Sequence, residues 1–526
     1  MVRASPMSLM LNIQISFLAV IIFTCLVALV ILVICWKMHT TSIPTVRLPP
    51  GPWKLPLIGN LHQMAASSLP HRCITDLANK YGPIMHLKLG QLSAIVISSP
   101  EFVQEVLKTH DVAFSQRPKL LAVEILSYNL SGFIVSPYND FWRQMRKICV
   151  LELLSAKRVE SFASIREEEA SNLVQSISLS EGHPFNLSEM IFSMQSVIIA
   201  RAAFGKKCKY QQEFLSLLQD TVRLTAEFDV PDLFPSLKFL RYAINLKPAV
   251  EKVHQKMDKI FDEIINDHRV KRNEVSAAGD DHQEDIVDVL LRLQESGELQ
   301  IDLTTTQIKA VTLDMFSAGS ETSATTTEWA MAELLRSPRA MKKAQAEVRQ
   351  LVGGKGKIEE SDIKKLDYLK LVIRETLRLH TPPLIPRQAR EKCTIGGYDI
   401  PTEAIVLINA WGIGRDPKYW EDADCFLPER FQGSSIDFRG TNFELVPFGG
   451  GRRMCPGISF ATASIELALS HLLYHFDWKL PNANGSGNET KLLEELDMTE
   501  CKGLNVRKKN NLHLVAIPFI SSSEMN

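Results

Sequence analysis

The chain has 526 residues, 45% of them hydrophobic and 23% charged, which is the composition of a globular protein with room for a large core. Its 59 Lys and Arg against 60 Asp and Glu leave a net charge of −1, so no basic excess exists to neutralise phosphates and nucleic acid is excluded as an expected partner. Nine cysteines, an odd number with no Cys-x-x-Cys pair, argue against a disulfide framework or a zinc site and suit a reducing compartment.

From Ala4 to Trp36 there is no charged residue, and the 22 positions from Ile15 to Trp36 are nearly all aliphatic. At 1.5 Å per residue they span roughly 33 Å, enough to cross a bilayer. A transmembrane anchor is therefore expected at 13–36, behind a lumenal tail at 1–12. A cleaved signal peptide would have a shorter apolar core and a small-residue cleavage site, which the sequence lacks. Lys37, His39 and Arg47 follow the span while only Arg3 and the amino terminus precede it, so the bulk of the chain should face the cytosol. Four Asn-x-Ser/Thr sequons, at Asn129, Asn186, Asn484 and Asn488, would then never meet the glycosylation machinery.

Residues 37–60 contain Leu48-Pro-Pro-Gly-Pro, Pro56 and Gly59-Asn60, which predicts a stiff, proline-rich hinge. Beyond it, 61–526 shows no repeat and no linker long enough to divide it, so one large domain is expected. Ile84 to Leu89 and Ala94 to Ser98 alternate about Gly90-Gln91, a hairpin signal in an otherwise helical chain. Amphipathic helical stretches run to about Gln350, with two interruptions. Phe228-Asp-Val-Pro-Asp-Leu-Phe-Pro is apolar and proline-marked, suited to touching a membrane and gating substrate entry. The charged run Asp267 to Asp285 reads as a solvated loop.

Trp142 and Arg146 lie one helical turn apart, which by itself is an ordinary amphipathic pair. Leu303 to Leu335 reads as one helix ending at Ser337-Pro338. At its centre, Ala318-Gly319-Ser320-Glu321-Thr322 breaks local propensity. A mid-helix glycine costs about 1 kcal/mol relative to alanine, so a packing or ligand reason is expected. Asp314, Ala318 and Thr322 share a face at spacing four, with Glu321 one step round, which could set an acid and a hydroxyl over a bound ligand. Standing alone, the same residues could be hydroxyls back-bonding in a bent helix.

Glu375-Thr-Leu-Arg378 puts an acid and a base at spacing three, Pro428-Glu-Arg-Phe431 adds another arginine, and His380-Thr-Pro-Pro-Leu-Ile-Pro-Arg387 reads as a turn and an extended stretch. His471 and His475 sit four apart without the Glu of a His-Glu-x-x-His site and read as core or dipole-compensating residues. Gly353-Gly-Lys-Gly-Lys357 lacks phosphate-loop spacing, and no dinucleotide fingerprint follows an expected strand, so electrons must reach the chain from elsewhere. Pro447 to Gly457 reads Pro-Phe-Gly-Gly-Gly-Arg-Arg-Met-Cys-Pro-Gly, immediately before an apolar run from Ile458. Cys455 is a useful iron ligand only as a thiolate. Pro456 suits the first turn of the following helix, the glycines let N–H groups approach the sulfur, and Arg453 adds a cation.

Phe448, Gly451, Arg453, Cys455 and Gly457 fall at Phe-x-x-Gly-x-Arg-x-Cys-x-Gly, which resembles the haem-binding loop of the cytochrome P450 family. Anchor, hinge, Trp-x-x-x-Arg, mid-chain helix, Glu-x-x-Arg, Pro-Glu-Arg-Phe and loop follow in the family's order. The chain looks most like the plant microsomal enzymes of terpenoids and other specialised metabolites, notably through Asp497-Met-Thr-Glu. The resemblance implies a mainly α fold with a small β region, preceded by one N-terminal transmembrane helix. It implies haem b with its iron held by the Cys455 thiolate, Arg453, Trp142, Arg146 and Arg387 as propionate partners, and Phe448 and Gly319 against the macrocycle. Glu321 and Thr322 would be the catalytic proton relay, and Glu375, Arg378 and Arg430 a buried network behind the loop.

The implied partners are NADPH-cytochrome P450 reductase, with cytochrome b5 as a further donor, O2 and a small lipophilic substrate, at the endoplasmic reticulum membrane with a cytosolic domain. The expected reaction is insertion of one O2-derived oxygen atom, hydroxylating a sesquiterpene or diterpene skeleton. Alternatives are an alkaloid or phenolic hydroxylase, an isomerase or dehydratase that needs no electrons (disfavoured by Glu321-Thr322), and a non-catalytic haem-binding sensor or scaffold. The pocket is expected within Leu120 to Phe133, Phe228 to Phe234, Asp314 to Ala318 and Thr381 to Ile385. His380 to Arg387 is shorter than the family's usual pattern, which bears on the reach of that strand over the haem.

Overall fold

The structure, a computed structural model, describes residues 20–25, 27–29, 47–180, 182–205, 211–225, 229–237, 246–278, 284–297, 299–353, 358–481 and 496–519. It comprises two units, Met1–Leu48 and Pro49–Asn526. In the first, residues 20–25 and 27–29 are helical and expose Val20, Ile21, Ile22 and Phe23. The tail at 1–12, the rest of the expected anchor, the hinge up to residue 46, Phe228, Gly354–Lys357 and the sequons at Asn484 and Asn488 lie outside the described residues.

The second unit is mainly helical, with small sheets. The helices used below are α1 (Asp140–Ile148), α2 (Leu187–Phe204), α3 (Leu246–Ala278), α4 (Thr305–Arg336), α5 (Asp367–Leu379) and α6 (Ile458–His475). The four-stranded sheet joins β1 (Ile84–Leu89), β2 (Leu92–Ile97), β3 (Ile385–Gln388) and β4 (Ile405–Ile408) in the order β1-β2-β4-β3. β1 and β2 form the expected hairpin, with Gly90 at φ 61° in its turn. β2 runs parallel to β4, and β3 pairs antiparallel with β4 so that Arg387 faces Val406. The shortened stretch after His380 thus still delivers a regular strand.

α4 begins at a capping box. The Thr304 hydroxyl accepts the Gln307 N–H at 3.3 Å, and the Gln307 amide oxygen accepts the Thr304 N–H at 2.8 Å. It runs through the main apolar core, which α2 and α6 also line. α2 is long and apolar enough to cross a membrane by length and composition, yet 67% of it is buried inside the fold, which makes it a core helix. The charged run expected as a loop from Asp267 is helical to Ala278 instead. The helix enters the run from the apolar stripe before it: Ile260, Ile264, Ile265 and then His268 are buried while Asp267, Arg269 and Lys271 face solvent, and residues 279–283 of the expected loop lie outside the described residues. The segment expected to interrupt the helices after Phe228 carries a short helix, Val230–Leu233, opened by a capping box of Asp229 and Asp232. His471 is a core histidine: both ring nitrogens are buried without partners, and burial pushes its pKa down to about 3.

Candidate functional site

The loop from Pro447 to Gly457 is shaped by contacts that only glycine permits. Gly449 and Gly451 have φ of 70° and 65°. A Cβ at Gly451 would stand 2.3 Å from the Leu107 carbonyl oxygen and 2.6 Å from Asp111 Oδ1. Asp111 accepts the Arg452 N–H at 3.1 Å and pairs with its guanidinium at 3.1 Å. Cys455 closes the loop by donating its N–H to the Phe448 carbonyl at 2.9 Å, and the Phe448 ring lies 5.2 Å from Phe438. Helix α6 starts at Ile458 with Gly457 as N-cap, so Pro456 lies in the turn before the helix and not in its first turn. Burial pushes the Cys455 thiol up, while the Gly457 N–H and the Arg146 charge draw it down toward the thiolate.

Replacing Gly451 by alanine should therefore cost about 1–3 kcal/mol from backbone strain alone, with steric overlap added. Gly433→Ala is the control, because Gly433 has φ of 73° but nothing within 4 Å of its Cβ position. Thermal unfolding and haem retention should fall clearly further for Gly451→Ala than for Gly433→Ala.

Four arginines gather beside this loop, although only three were expected. Arg453 is buried, stacks 4.4 Å over the Trp142 ring, and donates to the carbonyls of Ser115 at 2.8 Å, Phe133 at 3.4 Å, Ile134 at 3.3 Å and Ser136 at 2.5 Å. The Trp142 indole N–H donates to the Phe133 carbonyl at 2.9 Å, so its single donor is already used by protein. Arg146, from the same helix α1, is near enough to Cys455 to act on its charge. Arg387 is fully buried and donates to the Gly450 carbonyl at 3.0 Å, but its Nη1 has no partner among the described residues. Arg117 is the one sequence reasoning missed. It donates Nη1 to the Pro386 carbonyl at 2.5 Å, and its buried Nε has no partner among the described residues.

Burial pushes Arg117 down to about 10, and burial together with the neighbouring guanidiniums pushes Arg453 to about 9 and Arg387 well below the usual arginine range. Asp111 is the acid acting on Arg387 and Arg453. Buried guanidinium N–H groups without acceptors are costly and call for an anion. A haem with two propionates fits that requirement.

On the other side stands α4. Between Ile308 and Leu335 it is buried except at Ser317, Ala318, Gly319 and Thr322. Ala318 is exposed there, and the Thr322 hydroxyl donates to its carbonyl at 2.6 Å. This small-residue opening is what a flat macrocycle and a bound ligand require. Gly319 also has a packing role, because a Cβ there would come within 2.7 Å of Ile199 Cδ1 on α2. The glycine permits a close helix crossing.

Glu321 does not join Thr322. Its carboxylate is buried and pairs with Arg507 Nε at 3.2 Å, with Asn505 as a second donor. Burial raises its pKa and those two groups lower it. Asp314, expected on the open face, is buried and accepts the Ile134 N–H at 3.0 Å. Arg507 and Asn505 had no signal in the sequence, since they meet Glu321 only through the C-terminal hairpin of Glu500–Cys501 and Arg507–Lys508.

The expected network behind the loop is complete. Glu375, fully buried, accepts Arg378 Nε at 2.8 Å and Nη2 at 2.7 Å, Arg430 Nε at 2.9 Å and the Leu427 N–H at 2.8 Å.

These features agree with what the chain is similar to. The family described as Cytochrome P450 matches residues 49–497. A melianol synthase of Azadirachta indica is 58% identical over 476 residues, covering 90% of this chain and 93% of that one. A desmethyl-deoxy-podophyllotoxin synthase of Sinopodophyllum hexandrum is 52% identical (89% and 91% covered), and a premnaspirodiene oxygenase of Hyoscyamus muticus 50% identical (93% and 96%). A solved zebrafish cytochrome P450 with progesterone shares the fold, with a TM-score of 0.72 at 24% identity over 86% of this chain and 99% of that one. A glycine-shaped cysteine loop, buried arginines lacking an anion and a match running almost from hinge to C-terminus have one common reading: the chain belongs to the cytochrome P450 family, and is a haem-thiolate monooxygenase.

Proposed function

We propose that the chain is an anchored microsomal enzyme that hydroxylates a terpenoid skeleton, with a sesquiterpene or diterpene as the substrate first sought. The similarity to the terpenoid-modifying melianol synthase at 58% identity carries this reading. The similarity to a podophyllotoxin-pathway synthase at 52% favours a phenolic substrate as the second reading.

Cys455 would hold the haem iron as a thiolate, and haem bound there would supply the activation of O2. Arg117, Arg146, Arg387 and Arg453 would neutralise its propionates, and Trp142 holds Arg453 in place. Phe448 backs the Cys455 loop, and Gly319 sets the depth of α4 by its crossing with α2. Thr322, on the open face of α4, hands a proton to the reacting oxygen. Glu321 stands behind it as a reservoir, its half-exposed partner Arg507 providing the link to solvent.

The chain is organised as a lumenal tail 1–12, an anchor 13–36, a hinge 37–60 and a cytosolic domain 61–526 at the endoplasmic reticulum membrane, served by NADPH-cytochrome P450 reductase with cytochrome b5 as a further donor. An apolar patch supports membrane contact by the domain itself. Trp53, Leu57, Ile58, Val230 and Leu237 are all exposed. Two hydrogen bonds draw their segments together at the β1–β2 turn, Gly90 N–H to the Ile58 carbonyl at 3.2 Å and Gln91 N–H to the Leu233 carbonyl at 2.8 Å.

The test is a panel of terpenes, phenolics and alkaloids offered to the haem-loaded enzyme with reductase, scored by the water-displacement spectral shift and by product. Terpenoid binding with a hydroxylated product is expected. Binding confined to phenolics or alkaloids replaces the substrate assignment. Intact haem without NADPH consumption on any of them points to a sensor or scaffold.

A further inference from the structure

Residues 127–136 cross between the two halves of the site. Three consecutive non-glycine residues in this strap adopt left-handed backbone: Tyr128, Asn129 and Leu130, at φ of 54°, 58° and 60°. Asparagine tolerates that region, but tyrosine and leucine do so at a cost of roughly 1–2 kcal/mol each. Local bonds hold the turn, with Asn129 N–H to the Glu124 carbonyl at 2.8 Å and Ser131 N–H to the Ser127 carbonyl at 2.9 Å. The Tyr128 ring packs against His254 of α3 at 4.6 Å.

The strap's other end is gripped from both sides. Its carbonyls, at Phe133, Ile134 and Ser136, receive Arg453 and Trp142. Its amides face Asp314 of α4: Ile134 donates at 3.0 Å, and the Phe133 N–H is a second donor. Gly132 completes the fit, since a Cβ there would stand 2.3 Å from Asp314 Oδ2. Among the described residues, no other hydrogen-bond donor to the Asp314 carboxylate is found. Burial pushes its carboxyl up to about 7, and the two amides oppose that rise.

We propose that Asp314 is a positioning residue: it anchors the strap to α4 and through it fixes both the pocket wall at Phe133 and the Trp142–Arg453 clamp, so that it governs substrate orientation rather than proton supply. The inference rests on the haem-thiolate monooxygenase reading but not on the identity of the substrate.

The first experiment measures hydrogen exchange over 131–136 in haem-loaded wild-type protein, Asp314→Asn and Asp314→Ala. Losing one or both acceptors should speed exchange there by about tenfold or more. Peptides from α6 should be unchanged. With any substrate found active, the ratio of products or KM should change while the fraction of NADPH electrons recovered in product stays near the wild-type value. A second arm is a double-mutant cycle with Gly132→Ala. Alone, Gly132→Ala should speed exchange like Asp314→Ala, because the new methyl group displaces the carboxylate. In the Asp314→Ala background it should add less than about twofold, since the space it needs is open. Unchanged exchange in both Asp314 variants, or full additivity in the cycle, overturns the proposal. Loss of coupling with unchanged exchange would make Asp314 a proton-handling residue instead.

Discussion

Cys455→Ala should abolish the absorption band of a thiolate-ligated haem in the reduced, CO-treated protein and lower turnover by at least about 10³-fold, or roughly 4 kcal/mol of barrier. The argument is one of local charge. An anionic sulfur needs compensation, and in this loop it comes from the Gly457 N–H and from Arg146. Cys149 also lies near Arg146, but it is fully buried and the Asp314 charge raises its thiol further, so it cannot take over the role. Cys149→Ala should accordingly leave the band in place. A band that survives Cys455→Ala would remove the ligand assignment, and with it the reading of the loop.

The second large effect concerns protein that never touches the reacting atoms. Glu375→Gln should destabilise the fold by about 3–5 kcal/mol, because it leaves the Arg378 and Arg430 guanidiniums facing a neutral group. Arg378 is fully buried and spends its remaining donors on the carbonyls of Gly414 at 2.5 Å, Ala423 at 2.6 Å and Cys425 at 3.1 Å. Those bonds fasten α5 to the segment that precedes the haem loop, so haem retention should fall together with the unfolding temperature. Glu429→Gln is the matched control. Glu429 sits in the same Pro-Glu-Arg-Phe stretch but pairs with the exposed Arg339 and Lys343, and Gln can still accept the Tyr368 hydroxyl that Glu429 accepts at 3.1 Å, so the substitution should cost less than about 1 kcal/mol. Equal effects of the two substitutions would show that the buried network lends the loop no special support.

What could be read from the sequence was whatever lies close together along it. The Cys455 loop, the Trp142–Arg146 turn, the Glu375–Arg378 pair and the capped helix around Thr322 each declare themselves within a dozen residues, because helix periodicity or a tight turn fixes their geometry. Arg117 and Asp111 reach the site from a stretch more than 300 residues before Cys455, and no spacing announces them. Glu321 was placed on the correct helix, but its direction is set by Arg507, almost 200 residues later. Gly319, a glycine where alanine would be better, has a packing reason that the sequence does not announce, Ile199 on a helix more than 100 residues earlier. The run from Asp267 is helical because it continues the buried stripe of Ile260, Ile264 and Ile265 that precedes it, with His268 as the next buried position.

The buried apolar helix α2 has a consequence for synthesis. It leaves the ribosome about 100 residues before the start of α4, the helix that lies over it through contacts such as Ile199 on Gly319. At about 5–20 residues per second the gap lasts on the order of 5–20 s. For that time a segment hydrophobic enough to enter a bilayer by length and composition has no native cover. Chaperone supply during translation should therefore govern the yield of folded protein, whether or not the amino-terminal segment is present.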